Sequence, residues 1–355
     1  MTPASAISID VMGADAGPGP LIAGLARLAR KQPDLRFLLF GRLAEIAPLV
    51  RRRGLSDRCE IRDCADVVRM DDQPARTLRE RRESSMWRAL EAVKSGEARV
   101  AVSAGNTGAL LAMSVLLLRK APGVARPAIA VHWPAERPEG YNTVLDVGAD
   151  IRADPLHLTQ YAVMGAEYAR LSLSIETPRV ALLNLGTEET KGPEHLREAA
   201  EMISTAAATT GRFTFVGYVE GTDLSGDRAD VVVTDGFTGN IALKTAEGTA
   251  SFLRQTLRDA FRHSWASRLA SLLAFTSLRR LRARIDPRRV NGGVFLGLGG
   301  SVVKSHGSAD AVGFASAVEL AARMAASDFT AEVASRVGKL DISQAAQSAA
   351  GQGGM

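Results

Sequence analysis

The sequence predicts an α/β fold: a three-layer α/β/α sandwich around a mostly parallel, Rossmann-like sheet. Three observations carry that reading. Short β-branched runs alternate with helical periodicities along almost all of the 355 residues. Most of those runs stop at a glycine or a helix-capping residue. No fixed-period repeat or long Ser/Pro-rich linker interrupts the alternation, so residues 1–343 read as one unit, followed by a small, polar tail at 344–355 that is expected to be disordered.

In chain order the expected strands are Ile7–Val11, Arg36–Phe40, Arg99–Val102, Ala128–Val131, Thr143–Val147, Val180–Leu185, Phe213–Val216 and Val231–Thr234. Each is a short apolar, β-branched or aromatic run bounded by turn formers. Between them, apolar residues recur at helical spacing in Pro20–Lys31, Ser84–Lys94, Gly108–Leu118, Pro155–Leu171 and Glu194–Ala208. Strand, turn, helix, strand implies right-handed crossovers and a sheet covered on both faces.

The formal charge is +5, yet residues 251–289 hold ten Arg against Asp259 and Asp286, a net of +8, which leaves −3 elsewhere. The basic character is local, so the chain does not read as a nucleic-acid binder, and aromatic stacking residues are sparse around the Arg cluster. Cys59 and Cys64 have no second pair or clustered His, so no metal site is expected. The N-terminus lacks a charged n-region and a continuous apolar h-region, and no apolar run reaches the length of a spanning helix; a cytoplasmic protein is expected.

Glycine-rich turns with polar partners stand at several strand ends: Asp10-Val-Met-Gly-Ala-Asp15, Ser103-Ala-Gly-Asn-Thr-Gly108, Asp146-Val-Gly-Ala-Asp150, Asn184-Leu-Gly186 with Lys191-Gly192, Glu220-Gly-Thr-Asp223, and Asp235-Gly236. In a parallel sheet such ends lie along one edge, where ligands bind. The Asp235 turn opens a helix, and helix N-terminal N–H groups around Gly239 and Asn240 favour an anion, with Lys244 one turn further on. There is no Gly-x-x-x-x-Gly-Lys-Ser/Thr, no Gly-x-Gly-x-x-Gly after the first strand and no Gly-x-Ser-x-Gly, so no nucleotide cofactor and no acyl-enzyme serine is implied.

The helix continuing from that turn carries Leu253, Leu257, Phe261, Trp265, Leu269 and Leu273 at four-residue spacing, with Leu272 beside the last. Arg254, Arg258, Arg262 and Arg268 fall on adjoining stripes, followed by Arg279, Arg280, Arg282 and Arg284. An apolar ridge flanked by Arg suits a helix lying in an anionic membrane surface. A dimer interface and a docking face for an acidic carrier protein are the competing readings.

The ordered set Asp10-x-Met-Gly-x-Asp15, Met70-Asp-Asp-Gln-Pro74 with Ser84-Ser-Met86, Ser103-Ala-Gly-Asn-Thr-Gly-Ala109, Leu145-Asp-Val-Gly148, Leu183-Asn-Leu-Gly186 with Lys191-Gly192, Glu220-Gly-x-Asp223, Asp235-Gly-Phe-x-Gly-Asn240 with Lys244-Thr245 and Glu247-Gly248, and Val302-Val-Lys-x-His-Gly307 resembles the bacterial phosphate acyltransferases of the PlsX type. The resemblance covers about residues 6 to 325 and departs from the family pattern at Ala14, Asp150 and Gly299-Gly300. It implies a homodimeric cytoplasmic enzyme on a fold related to phosphotransacetylases and isopropylmalate dehydrogenase. Such enzymes transfer a fatty acyl group from acyl carrier protein to inorganic phosphate, giving acyl phosphate for a membrane-bound glycerol-3-phosphate acyltransferase.

With that reaction in view, Lys244, Asn240, Asp235 and His306 form the expected catalytic set, and Gly13, Asp15, Ser84, Ser85, Asn106, Lys191, Gly239 and Lys304 the expected substrate contacts. Lys244 and Lys304 would hold phosphate, Asn106 and Asn240 would donate to the thioester carbonyl oxygen, His306 would protonate the leaving thiolate and Asp235 would orient a cation. Ser84 and Ser85 also fit a helix cap, and His306 a turn. Leu253, Leu257, Phe261, Arg254, Arg258 and Arg262 are the expected membrane or carrier-protein contacts. The rival readings are a metal- and NAD-dependent dehydrogenase of the isopropylmalate type and a non-catalytic carrier-binding scaffold at the membrane surface.

Overall fold

The computed structural model describes residues 6–138, 140–267, 269, 274–276 and 292–340. Arg268, Leu272, Leu273, Arg279, Arg280, Arg282 and Arg284 of the basic segment, and the 344–355 tail, lie outside the described residues.

Among the described residues eleven strands form one sheet: β1 (Ala6–Asp10), β2 (Arg36–Gly41), β3 (Cys59–Asp63), β4 (Val100–Ser103), β5 (Ala128–Pro134), β6 (Tyr141–Leu145), β7 (Arg179–Leu183), β8 (Thr214–Val219), β9 (Val231–Val233), β10 (Gly293–Leu296) and β11 (Ser301–Lys304), in the order β3-β2-β1-β4-β11-β10-β5-β6-β9-β7-β8. All eight expected strands are present within a residue or two at most ends, and β3, β10 and β11 are additional. Alternate residues face different cores. Val100 and Val102 pack into one cluster with the helices Pro18–Lys31, Pro155–Leu173 and Ala311–Ala325, while Ala101 packs into another with Ser85–Lys94 and Thr107–Leu118. That period of two, with apolar helices on both sides, produces the three layers.

Most strand pairs are parallel, but β5–β6, β5–β10 and β10–β11 are antiparallel. Only residues 135–140 separate β5 from β6, far fewer than a parallel crossover needs, so the chain must turn back. In consequence β6, β9, β7 and β8 run opposite to β1, β2, β3, β4 and β11. The expectation that all strand-end turns share one edge by virtue of a parallel sheet is therefore wrong.

The two halves are instead staggered. Ile9, Val102 and Val303, each one residue from the end of its strand, lie in one register row with Val294 and Ala130. In the neighbouring row Val131 pairs with Val144, Val144 with Val232 and Val232 with Ala181, again at or near strand ends. Carboxyl ends of both halves thus reach the same level of the sheet from opposite directions.

Candidate active site

The first group of turns is organised around Asp10. Its buried carboxylate accepts hydrogen bonds from Ser85 Oγ and Ser103 Oγ, both at 2.7 Å, and from the Met12 N–H at 3.3 Å. Burial pushes its pKa up, against those hydrogen bonds, which favour the ionised form. Three segments distant in sequence are thereby locked together: the β1 turn, the start of the Ser85–Lys94 helix and the end of β4. Gly13 is required at this junction, because a Cβ there would come within 2.7 Å of both Asp10 Oδ2 and the Gly105 nitrogen.

Lys304, the last residue of β11, enters the same junction. Its Nζ donates to the carbonyl oxygens of Ala104, at 3.4 Å, and of Ser305. Burial lowers its pKa to about 8, opposed by Asp10 and Asp15 and reinforced by the positive charge of Lys244. Asp15 is exposed, and its N–H donates to the Gly307 carbonyl at 3.0 Å, which fastens the β1 turn to the turn after β11.

Several expected substrate contacts already have protein partners. Ser84 is buried, caps the helix Ser85–Lys94 by accepting from the Trp87 N–H at 3.3 Å, and donates to the Arg81 carbonyl at 2.7 Å. Ser85 is equally buried and bound to Asp10. Asn106 caps the helix Thr107–Leu118, and its amide donates to the carbonyls of Met70 and Asp72 at 2.8 and 3.1 Å. Its amide hydrogens are therefore directed at the Met70–Pro74 loop rather than at an open site. His306 is exposed, and its Nδ1 accepts from the Ser308 N–H at 3.2 Å within a turn.

The second group surrounds the start of the helix Gly236–Arg262. Asp235 is its N-cap, accepting from the Thr238 N–H at 2.9 Å and the Thr238 hydroxyl at 2.8 Å. Asp235 thus orients the helix entrance rather than a lysine. Asn240 and Lys244 are exposed, and Lys244 Nζ lies 2.8 Å from Glu247 Oε2 on the next turn. Gly239 is buried against Asp146. Lys191, in the loop after β7, is exposed and paired with Glu188 at 2.8 Å, while its carbonyl accepts from the Asn184 amide.

Two residues that sequence reasoning left out of the site hold this group in place. Asp146 accepts from the N–H groups of Ile129, Gly148, Ala149 and Asp150, and burial raises its pKa to about 6. Asp150 donates its N–H to Asp146 at 2.6 Å and accepts from the Gly236 N–H at 2.7 Å through its carbonyl. Its carboxylate turns inward, accepting from the Tyr161 hydroxyl at 2.9 Å, with His157 Nδ1 at 3.1 Å. The Asp150 side chain, one of the departures from the family pattern, thus faces Tyr161 and His157 rather than the helix entrance. An aspartate ending a strand before Val-Gly-Ala was the available signal for Asp146, since such a side chain can collect the N–H groups of its own turn.

Beyond Gly239 the helix Gly236–Arg262 has no buried residue. Phe252, Leu253 and Leu257 are 69%, 54% and 44% exposed, Phe261 is half-buried, and Arg254, Arg258 and Arg262 are exposed beside them. Of the expected apolar ridge, Leu253, Leu257 and Phe261 stand on this helix, but the helix ends at Arg262 rather than continuing, so Trp265 and Leu269, both exposed, lie beyond it.

The model of the family described as "Fatty acid synthesis protein" matches residues 5–332. A phosphate acyltransferase of Ruegeria sp. (strain TM1040) is 59% identical over 332 residues, covering 93% of this chain and 88% of that protein. A phosphate acyltransferase of Roseobacter denitrificans is 57% identical over 342 residues and 96% of each chain. Among solved structures, a phosphotransacetylase from Streptococcus pyogenes aligns over 91% of this chain and 94% of its own with a TM-score of 0.62 and 18% identity. A structure described as a putative 4-hydroxythreonine-4-phosphate dehydrogenase from Salmonella typhimurium aligns over 90% and 99% with a TM-score of 0.50 and 14% identity. These two likenesses establish the fold, which phosphotransacetylases and dehydrogenases share. Sequence identity at this level over nearly the whole chain places it more narrowly: it belongs to the phosphate acyltransferase family of fatty acid synthesis proteins.

Proposed function

We infer that this chain transfers a fatty acyl group from acyl carrier protein to inorganic phosphate, releasing acyl phosphate and the carrier thiol. Family membership supplies the reaction. The observation that fits it to this molecule is the meeting of a partly buried ammonium, Lys304, with the Asp10 and Ser103 turns, within electrostatic reach of Lys244. A phosphate oxygen attacks the thioester carbonyl, a tetrahedral oxyanion forms, and the C–S bond breaks with a proton delivered to sulfur. The exposed N-terminal turn of Gly236–Arg262, with Asn240 and Lys244, offers N–H groups and a cation for the phosphate dianion.

Incubation with acyl carrier protein thioester, with and without phosphate and without nucleotide or divalent metal, tests the reading. Thioester should disappear only when phosphate is present, with acyl phosphate captured by hydroxylamine as the hydroxamate. Tight carrier binding without turnover would favour the scaffold reading, and turnover that requires NAD and metal the dehydrogenase. Lys244→Ala should lower phosphate-dependent transfer about a hundredfold, mainly through phosphate KM, without altering the unfolding midpoint. Wild-type phosphate kinetics in that variant would remove Lys244 from the site.

The uncovered helix supports a second element of the proposal, peripheral attachment to the inner face of the membrane, where a glycerol-3-phosphate acyltransferase could receive the product. Among the described residues no helix is long and apolar enough to cross a membrane. An apolar ridge this exposed needs a cover, and its Arg flank suits anionic headgroups, with pairing of two copies along part of the helix as the homodimer contact. Wild type should sediment with anionic vesicles, and Leu257→Glu/Phe261→Glu should stay in the supernatant while remaining folded. Equal recovery of the two in the pellet would count against lipid contact.

A further inference from the structure

We propose that Lys304 is the proton donor to the departing carrier thiolate, a role distinct from holding phosphate. The inference rests on the acyl-transfer reading above. Lys304 Nζ is fixed between the carbonyl oxygens of Ala104 and Ser305, at the junction where the β1 turn, the β4 turn and the β11 turn meet. Carbonyl acceptors hold an ammonium in position without forming an ion pair with it, so its proton stays transferable.

The other candidate donors are placed less well. Lys244 is exposed, and its Nζ is engaged by Glu247 Oε2 at 2.8 Å on the helix surface. His306 is exposed, and its Nδ1 is an acceptor within its own turn. Asn106 is committed to Met70 and Asp72. Asp10 accepts from two hydroxyls and one N–H, so it serves as an acceptor at the junction.

The groups whose charges act on Lys304 are Asp10 from β1 and Asp15 from the β1 turn, which favour its ammonium form, and Lys244 from Gly236–Arg262, which opposes it. Together with burial they bring its pKa to about 8, close to that of an alkyl thiol at about 8.5, where transfer to sulfur is nearly balanced. As the C–S bond breaks, its electron pair moves to sulfur and the Lys304 N–H proton follows. The neutral amine recovers a proton from the hydroxyl of the hydrogen phosphate that has been acylated. The net change is RCO–SR′ + HPO₄²⁻ → RCO–OPO₃²⁻ + HSR′, with no proton gained or lost from solvent.

The discriminating experiment varies the leaving group. Lys304→Met should lose about a hundredfold or more in kcat with an alkyl thioester, yet stay within about tenfold of wild type with an aryl thioester, whose thiolate leaves without a proton. A phosphate-holding role predicts instead an equal loss with both thioesters, carried by phosphate KM, and that result would overturn the proposal.

Should carrier-free thioesters not be turned over by wild type, or Lys304→Met not fold, the pH profile on acyl carrier protein thioester decides the question. Wild-type kcat should fall as pH rises through about 8, because the donor is lost, and the limb should move to higher pH in Lys304→Arg. An unchanged limb would exclude Lys304 as the donor. Absence of any phosphate-dependent transfer by wild type would instead remove the reading on which the proposal stands.

Discussion

Gly239→Val should lower phosphate-dependent acyl transfer by about a hundredfold or more while costing only about 2 kcal/mol of stability. A Cβ at position 239 would run into the Asp146 carbonyl oxygen and lie 3.0 Å from Thr234 Cγ2. Neither neighbour can give way easily. The Asp146 turn is fastened by its own carboxylate to four main-chain N–H groups, and Thr234 is buried at the end of β9. The helix cannot slide along its axis either, because Asp235 caps it at Thr238 and the Gly236 N–H is tied to the Asp150 carbonyl.

Relief must therefore come from lifting the helix start away from the turn. That breaks the Gly236–Asp150 hydrogen bond and carries Asn240 and Lys244 with it. The stability cost stays moderate because beyond the first turn only Ala242, Leu243 and Ala246 pack, partly buried, against the core, and residues 247–260 are exposed. Urea unfolding and phosphate kinetics measured on the same preparations check the split. Gly239→Ala should fall between wild type and Val in both. Kinetics like wild type in the Ala variant would show that the close approach does not set the geometry of the site.

The parts of this architecture that were legible in the sequence are those written in local pattern. Val231–Val233, Val100–Ser103 and Ala6–Asp10 announce themselves as β-branched runs ended by polar turn formers. Cys59–Asp63 does not, because an edge strand paired only to β2 alternates polar and half-buried positions. Gly293–Leu296 and Ser301–Lys304 are only four residues each, and the glycines between them conceal the hairpin. Strand direction was not readable: the expected strands Ala128–Val131 and Thr143–Val147 left residues 132–142 between them, close to the dozen a crossover needs, and only the observed ends at Pro134 and Tyr141 shorten the connection to 135–140 and force the reversal.

Site residues divided on the same principle. Ser84, Asn106 and Asp235 act on N–H groups three residues ahead, so their capping roles are local and readable. Ser85 and Ser103 reach Asp10 across 75 and 93 positions, and nothing in a local pattern specifies such a contact. Lys304 stood in a quoted motif, but its burial follows from a neighbour relation between β11 and β4 that sequence order does not give.

Asp10→Ala is the other substitution expected to have a large effect, because it acts on structure and chemistry at one point. Removing the carboxylate leaves the Ser85 and Ser103 hydroxyls and the Met12 N–H without their shared acceptor, and an unmade buried hydrogen bond costs about 1–3 kcal/mol. Part of the junction survives, because Ser103 Oγ keeps the hydrogen bond it accepts from the Gly105 N–H at 3.0 Å. A net loss of about 3 kcal/mol is therefore expected, visible as a lower urea midpoint. The catalytic effect should be larger than this destabilisation implies. Without Asp10 the ammonium form of Lys304 loses a favourable neighbour, so its pKa falls further below the ordinary lysine value. The proton donor is then lost at lower pH, and the alkaline limb of kcat should move downward in the folded fraction of the variant. Asp10→Asn separates the two contributions, since it removes the charge while its amide oxygen can still accept from Ser85 and its amide nitrogen can donate to the Ser103 hydroxyl oxygen. It should recover much of the stability and keep the displaced limb. A limb at the wild-type position in both variants would mean that the Asp10 carboxylate holds the turns together without acting on the proton at Lys304.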